Sequence, residues 1–380
     1  RASGLNFKDV LIALGVFPLP TTLLGAACAG RSERLGEGVS GYSVGDDVIA
    51  SAPGSFRRFV TVPSNVLIPM PEGLSHEDAA TLPVAFFTAW YGLVHLGRMQ
   101  AGDTVLVHAA AGGVGMAAIQ LARRAGAEVL ATASPAKHDA VRALGVRHVF
   151  NSRTLDFAEG VRAATGGRGV DLVLNSLAGE FIAKSLGVVA AGGRFIEIGK
   201  TGIWEPERVA RVRPDVEYHA FDLSETLVRD VDAFAAVFRE LVIAFRDGSL
   251  RPLPRETFPL AEAGRAFRHM AQARHVGKIV LTQDAPEGAR VAFGGRFPPD
   301  RVQLVTGGHG GLGLALARWM VERGARRIAL MGRRLPSTAA RAAIADLERT
   351  GATIDSLAGD VSRAEDVDRC LAPYRGSLGG

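Results

Sequence analysis

The sequence predicts an α/β protein: a doubly wound parallel sheet inserted in a small strand-rich domain, followed by a partial second doubly wound unit. Three observations predict it. From Thr104 to Leu223 short apolar runs alternate with helical patterns, the rhythm of a parallel sheet covered on both faces. Two glycine clusters, His108–Gly115 (HAAAGGVG) and Thr306–Gly313 (TGGHGGLG), each follow an apolar β-type run and open an apolar-periodic helix. Finally, Arg1–Ile68 alternates β-type runs with glycine-punctuated turns, and the stretch from Arg251 to Thr282 returns to that style.

In chain order, Ser75 and Asp78 form a capping pair in the style of a capping box, and Ala79–Leu96 carries a helical apolar pattern. Strand Thr104–Val107 leads through the first glycine cluster into helix Val114–Ala125, then EVLATA, a helix over Ala136–Leu144, HVFN, a helix over Leu155–Ala164, VDLVLNS, a helix over Glu180–Ala190, GRFIEIG and VEYHAFDL. A long helix, Arg229–Arg246, stops at Asp247-Gly248. Gln283–Pro299 is rich in Pro, Gly and charge and reads as a linker. Strand Val302–Val305, helix Leu312–Arg323 and strand Arg327–Met331 then begin the second unit. The expected organisation is a substrate part over 1–83 and 250–283, a nucleotide-binding Rossmann part over 84–249, a linker over 284–299 and a truncated Rossmann unit over 300–380.

Composition narrows the function classes. The 380 residues are 47% hydrophobic with net charge +5 and pI about 9.5, and only five of the 44 basic residues are lysines. No basic run has interleaved aromatics, which argues against nucleic acid; the surplus is a solvated basic surface, or it meets an acidic protein partner. Cys28 and Cys370 are far apart, which points to a reducing, cytoplasmic setting without a disulfide framework. No apolar run approaches the roughly 20 residues that span a membrane. The chain starts at Arg1 without a methionine and reads as a piece of a longer polypeptide.

The glycine clusters carry the chemistry. Glycines let backbone approach a phosphate, and the helix that follows offers unpaired N–H groups and a positive dipole end. In the first cluster Ala109, Gly112 and Gly115 fall three residues apart, with Gly113 and Val114 between the last two. This is the dinucleotide fingerprint with alanine at its first position. NAD sites carry an acid about 20 residues on; here the second strand ends Ala131-Thr132-Ala133-Ser134, with Lys137 beyond. Ser134 and Lys137 suit a 2′-phosphate, so NADPH is the expected cofactor, unless Lys137 is an ordinary solvated helix lysine. In the second cluster Gly307, Gly311, Leu312 and Gly313 give the T-G-x-x-x-G-x-G spacing. Its second strand ends Gly332-Arg333-Arg334, again without an acid, and arginine forks onto phosphate. Asp360 follows the next β-like stretch, where adenine would lie.

The strings GLNFKD (Gly4–Asp9), VLIALG, HAAAGGVGMAAIQLA, ATAS, LNSLAGE, IEIGK and ARHVGKIVLT closely resemble the enoylreductase domain of modular type I polyketide synthases. That domain belongs to the zinc-free medium-chain dehydrogenase/reductase superfamily, and the resemblance covers Arg1–Thr282. It implies NADPH-dependent reduction of an α,β-enoyl thioester carried on an acyl carrier protein, with the other domains of the same synthase as partners. It also places the family's proposed proton-donor lysine on Lys200 and its partner aspartate on Asp222. From the residues alone, Lys200 and Asp222 lie at strand ends of one sheet, where open α/β sheets put ligands, and a structural ion pair at the sheet edge is the other reading. The resemblance sets Asn6, Thr88 and Asn175 near nicotinamide, ribose or phosphate, although each alone is more often a satisfied hydrogen bond. Gly199, beside Lys200, and Gly277-Lys278 are expected to approach the cofactor too.

Two departures stand out. Many of these domains carry a substrate-facing tyrosine where this chain has Phe17, which has no proton to give. Ser32-Glu33-Arg34 interrupts what is usually an apolar strand. No catalytic zinc is expected, since Cys28 has no His or Glu beside it. The second unit resembles the start of a polyketide ketoreductase, but no lysine follows Lys278 to complete a Tyr-x-x-x-Lys pair with Tyr374, so dinucleotide binding at most is expected there. Two rival readings are a free-standing zinc-free quinone or enoyl-CoA reductase and a non-catalytic nucleotide-binding scaffold; the second glycine cluster speaks against the first, the Lys200/Asp222 pair against the other.

Overall fold

In the computed structural model, which describes residues 1–16, 23–223, 225, 231–283, 297 and 299–374, the β-type runs that open the chain become β1 (Ala2–Leu5), β2 (Ala27–Arg31), β3 (Asp47–Ser51) and β4 (Leu67–Pro69). Then follow β5 (Thr104–Val107), β6 (Glu128–Ala133), β7 (His148–Asn151), β8 (Val170–Asn175), β9 (Val189–Glu197) and β10 (Glu217–Ala220). The chain returns with β11 (Arg255–Pro259) and β12 (Lys278–Thr282), and a second unit holds β13 (Val302–Thr306), β14 (Arg327–Gly332) and β15 (Thr353–Ala358). Two compact units result, Arg1–Pro286 and Glu287–Gly380. Phe17 and most of the linker predicted over Gln283–Pro299 lie outside the described residues.

The first unit contains two six-stranded sheets. One has the order β11-β12-β1-β2-β3-β4; β12 closes it by pairing antiparallel to β1, Ala2 opposite Thr282. The two ends of the unit thus build one lobe. The other sheet has the order β10-β9-β8-β5-β6-β7 and every pairing in it is parallel. Strand order reverses at β5, which has β6 on one side and β8 on the other, and such a switch point opens a crevice at the strands' C-terminal ends. β5 is buried along its whole length, as Val- and Leu-rich central parallel strands are.

The helix Gly113–Arg124 packs Met116, Ile119 and Leu121 inward and closes on Arg123 and Arg124, cations suited to a helix C-terminus. A single core runs from Ala2, Ala29 and Ile49 of the first sheet through Phe86 and Leu93 to Val105, Met116 and Ile119 of the second. Phe86 meets Phe245 edge-on at 4.9 Å, which seats the helix Val231–Arg246 against Leu82–Trp90.

Several elements differ from expectation for local reasons. The helix predicted over Ala79–Leu96 is interrupted: His76–Ala79 is capped by Ser75, whose side chain accepts from the Asp78 N–H, and a new helix starts at Leu82 with Pro83 in its first turn, where a missing N–H costs nothing. The stretch His76–Leu96 is nonetheless one 21-residue helical run long and apolar enough to cross a membrane, contrary to the expectation that no run reaches that length. Two thirds of its most apolar window is buried in the fold, the mark of a core helix. The helix predicted over Glu180–Ala190 stops at Leu186, because Val189 and Ala190 already belong to β9. β2 ends at Arg31, and Ser32–Arg34 run on as loop. The second unit is a three-stranded parallel sheet, β13-β14-β15, around Val305, Ala317, Ile328 and Leu330.

Candidate functional site

The first glycine loop leaves β5 at its switch-point end. His108 anchors its base: Nδ1 meets Thr132 Oγ1 at 2.9 Å and Nε2 meets Ser185 Oγ at 2.8 Å. Burial pushes this imidazole down to about 3, so it stays neutral. Ala109 turns the chain at φ +48°, the left-handed region that glycine usually occupies. Gly112 caps the helix in extended geometry, and a Cβ added there would meet only Ala109 O at 3.3 Å. Its space is therefore open on the side a phosphate would approach. A Cβ on Gly115 would fall 2.6 Å from Ala110 Cα; this glycine provides the close helix–strand contact of the fingerprint. Val114 lies in the first turn. These residues fit a pyrophosphate: a helix start whose cap glycine, Gly112, leaves its Cβ side open.

Gly113 and Gly277 belong to the same joint. Gly277 donates its N–H to Ala111 O at 2.8 Å and sits at φ +73°, where a Cβ would be 2.0 Å from Pro254 O. Lys278 runs its stem against Gly113, where a Cβ would meet Lys278 Cδ at 2.6 Å. The Lys278 ammonium donates to Leu5 O and Asn6 Oδ1, both at 2.7 Å. The ammonium of Lys278, expected near the cofactor, is thus bonded to the backbone and side chain around Asn6. Burial holds that amine down at about 8, with Asp9 opposing. Asn6 in turn caps Phe7–Ala13, and Asp9 accepts from the N–H groups of Asn6 and Gly25 at 2.9 and 2.8 Å.

At the end of β6, Ser134 is half-buried and the Lys137 ammonium donates to His275 O. Burial and the nearby Arg153 guanidinium lower the Lys137 amine; Arg153, just beyond β7, was not singled out in the sequence because its neighbourhood with Lys137 depends on the sheet order. Thr88 is buried on Leu82–Trp90.

The C-terminal ends of β8, β9 and β10 bring the remaining residues together. Asn175 Nδ2 donates to Glu197 Oε2 at 2.6 Å, and the Gly199 N–H donates to Glu197 Oε1 at 2.6 Å. Lys200, three residues past β9, donates to Phe221 O at 3.2 Å and pairs with Asp222 Oδ2 at 3.1 Å. A second ammonium, that of Lys8, reaches Asp222 Oδ1 and Oδ2 at 3.1 and 3.0 Å. Lys8 and Glu197 lie inside the strings GLNFKD and IEIGK, where nothing in the sequence nearby marks either as a site residue.

Glu197 is fully buried, and burial pushes its carboxyl up to about 7 against the pull of Asn175, Gly199 and Lys200. A carboxyl raised in the fold contributes stability that is complete below its unfolded value of about 4.5 and is lost as pH rises through about 7. Wild type should therefore lose up to about 3 kcal/mol relative to Glu197→Gln across that window. The variant starts less stable at pH 5, since its amide turns one N–H toward Asn175, and the gap narrows by pH 8. Thermal midpoints of both proteins between pH 5 and 8 check this; parallel curves contradict it.

Among the described residues no group of three His, Cys, Asp or Glu side chains is placed to hold a metal ion. In the second unit Gly307 turns at φ +67° and a Cβ on Gly313 would lie 2.5 Å from Gly307 O, while Gly311 opens the helix Gly311–Glu322 and Leu312 is exposed. Arg333 and Arg334 are exposed beyond β14. Asp360 accepts from the Ser362 N–H and hydroxyl at 3.0 and 2.8 Å. Tyr374 donates to Asp355 Oδ2 at 2.8 Å, and burial together with that carboxylate pushes its phenol up to about 12.

Three family descriptions match: alcohol dehydrogenase GroES-like domain over residues 1–72, zinc-binding dehydrogenase over 144–281 and KR domain over 302–379. The zinc in the second description finds no fitting ligand set among the described residues. The pikromycin polyketide synthase component PikAII of Streptomyces venezuelae is 45% identical over 375 residues, covering 98% of this chain. The chain spans about a tenth of the length of that synthase. Among solved structures, the CurK enoyl reductase is 47% identical at a TM-score of 0.71, covering 74% of this chain and 88% of that one. Mycobacterial Rv1454c, whose structure is a complex with NADPH, is 29% identical at a TM-score of 0.68, covering 74% of this chain and 89% of that one.

Proposed function

The chain belongs to the enoyl reductases of modular polyketide synthases, and from that premise we propose that it reduces the double bond of an α,β-enoyl thioester held on an acyl carrier protein, using NADPH. The observation that carries the reading is the Lys8–Asp222–Lys200 cluster, which borders the same strand-end crevice as the open glycine cradle at Gly112. We assign the substrate part to 1–83 and 250–283 and the nucleotide part to 84–249, with 300–380 as the opening of a ketoreductase-type unit. In the cradle Ala109, Gly112, Gly113, Val114 and Gly115 would hold the pyrophosphate and Ser134 and Lys137 the 2′-phosphate, with Arg153 beside them. Bound there, the reduced nicotinamide supplies the hydride that conjugate reduction needs.

The chain's own share is to orient, shield and protonate. Asn175 and Gly199 are fixed by Glu197, which holds the turn that carries Lys200. The Lys200 ammonium is the acid for the α-carbon, held and aimed by Asp222. Lys278 serves the site indirectly by locking Asn6 and the glycine loop together. The two free cysteines support a cytoplasmic setting, where a carrier protein and the other domains of a synthase would be its partners. The absence of an acid at the end of β6 predicts a preference for NADPH over NADH of roughly tenfold or more. Steady-state turnover of an enoyl thioester with each cofactor checks it; equal kcat/KM for the two overturns the cofactor assignment, and turnover of quinones without enoyl thioesters overturns the substrate class.

A further inference from the structure

We propose that Lys8 is a positioning residue for proton delivery: it reaches across from the β1 lobe, grips both oxygens of Asp222 and so sets the geometry and charge of the Lys200 pair. This rests on the enoyl-reductase reading above. Lys8 lies in the first turn of the helix Phe7–Ala13, whereas Asp222 and Lys200 follow β10 and β9. The three side chains are about one-fifth exposed, at 23%, 17% and 21%, so their charges are partly withdrawn from water.

The geometry assigns unequal tasks to the two lysines. Lys8 holds Oδ1 and Oδ2 at 3.1 and 3.0 Å, which stops the carboxylate from rotating. Lys200 meets Oδ2 at 3.1 Å and keeps a second bond, to Phe221 O. When Lys200 gives its proton to the substrate's α-carbon, a Lys8–Asp222 pair remains and balances the charge. Without Lys8, the carboxylate would face the neutral amine with one cation fewer beside it, an arrangement that opposes the transfer. Lys8 is itself held: Asn6 caps its helix and Asp9 ties the turn to Gly25. A cation is also the wrong charge for a helix's first turn, so its presence there is explained by its partner and not by the helix.

The test compares Lys8→Met, Lys8→Arg, Asp222→Asn and the Lys8→Met/Asp222→Asn double variant of the full chain. Crotonyl N-acetylcysteamine thioester and NADPH serve as substrates, and NADPH binding is followed separately by fluorescence. Lys8→Met should lower kcat by roughly 10- to 100-fold, the size of a misplaced catalytic group, with the NADPH Kd changed less than about threefold. Lys8→Arg should recover most of kcat, since a guanidinium also forks onto a carboxylate. The double variant should be little worse than Asp222→Asn, because residues acting through one another are not additive. Unchanged kcat in Lys8→Met, multiplying losses in the double variant, or NADPH affinity that collapses together with kcat overturns the inference. A wild type that reduces no enoyl thioester overturns the enoyl-reductase reading instead, whereas wild-type turnover with an unimpaired Lys8→Met overturns this inference alone.

Discussion

Gly112→Asp should raise the KM for NADPH roughly 100-fold while leaving the fold as stable as before. Gly112 sits at φ −84°, ψ 171°, extended backbone that any residue adopts, and its added Cβ would meet only Ala109 O at 3.3 Å. It is also the N-cap of Gly113–Arg124, a position where aspartate is favoured. The thermal midpoint should stay level or rise slightly. The same carboxylate would stand where the pyrophosphate must lie, and like charges at that range cost about 3 kcal/mol, roughly a 100-fold loss of affinity. The KM for NADPH in enoyl-thioester turnover reads this site separately from the second glycine loop. The contrast is Gly115→Ala, where a Cβ 2.6 Å from Ala110 Cα would strain the helix–strand contact itself and lower the midpoint. Wild-type KM in Gly112→Asp would mean that the dinucleotide does not lie on this helix.

The parts of the site that were legible in the sequence are those whose cause is local. Glycine spacing is dictated by turns and close approach within eight residues, so the loop could be read directly, and the missing acid after β6 could be read from the strand that ends in Ser134. Ala109 could be placed in the fingerprint but not in its left-handed backbone, since alanine gives no hint of a positive φ. What was illegible depends on distant chain. Lys8 and Asp222 are 214 residues apart, and nothing near Lys8 announces a partner. Glu197 looks like an ordinary strand residue until β8 sets Asn175 beside it. The expectation that Gly277-Lys278 approach the cofactor says nothing of where the Lys278 ammonium goes; that depends on the pairing of β12 with β1, which sets it against Leu5 and Asn6. The broken helix at Thr81 was readable from Pro83, and the apolar pattern on both sides masked it.

Lys200→Met should slow enoyl reduction by roughly 10²- to 10⁴-fold, the range for loss of a positioned general acid. A stability defect is not the cause to expect. The Lys200–Asp222 pair is partly solvated, with side chains 21% and 17% exposed, and such pairs contribute about 0–1 kcal/mol. Asp222 would also keep Lys8 as its partner. Thermal midpoint and NADPH affinity should therefore remain near wild type while kcat falls. Lys200→Arg separates the two ways in which an ammonium can help. A guanidinium keeps the charge and the ion pair but does not release its proton. If Lys200 acts as the acid, Lys200→Arg should be nearly as slow as Lys200→Met, with water as the remaining proton source in both. If the charge alone stabilises the developing enolate, Lys200→Arg should retain most of the rate, and the proton must then come from elsewhere in the crevice. Rates for both variants at saturating NADPH and thioester decide between the two, and a wild-type rate in Lys200→Met would remove Lys200 from the chemistry, leaving the pair with Asp222 as a brace for the sheet edge.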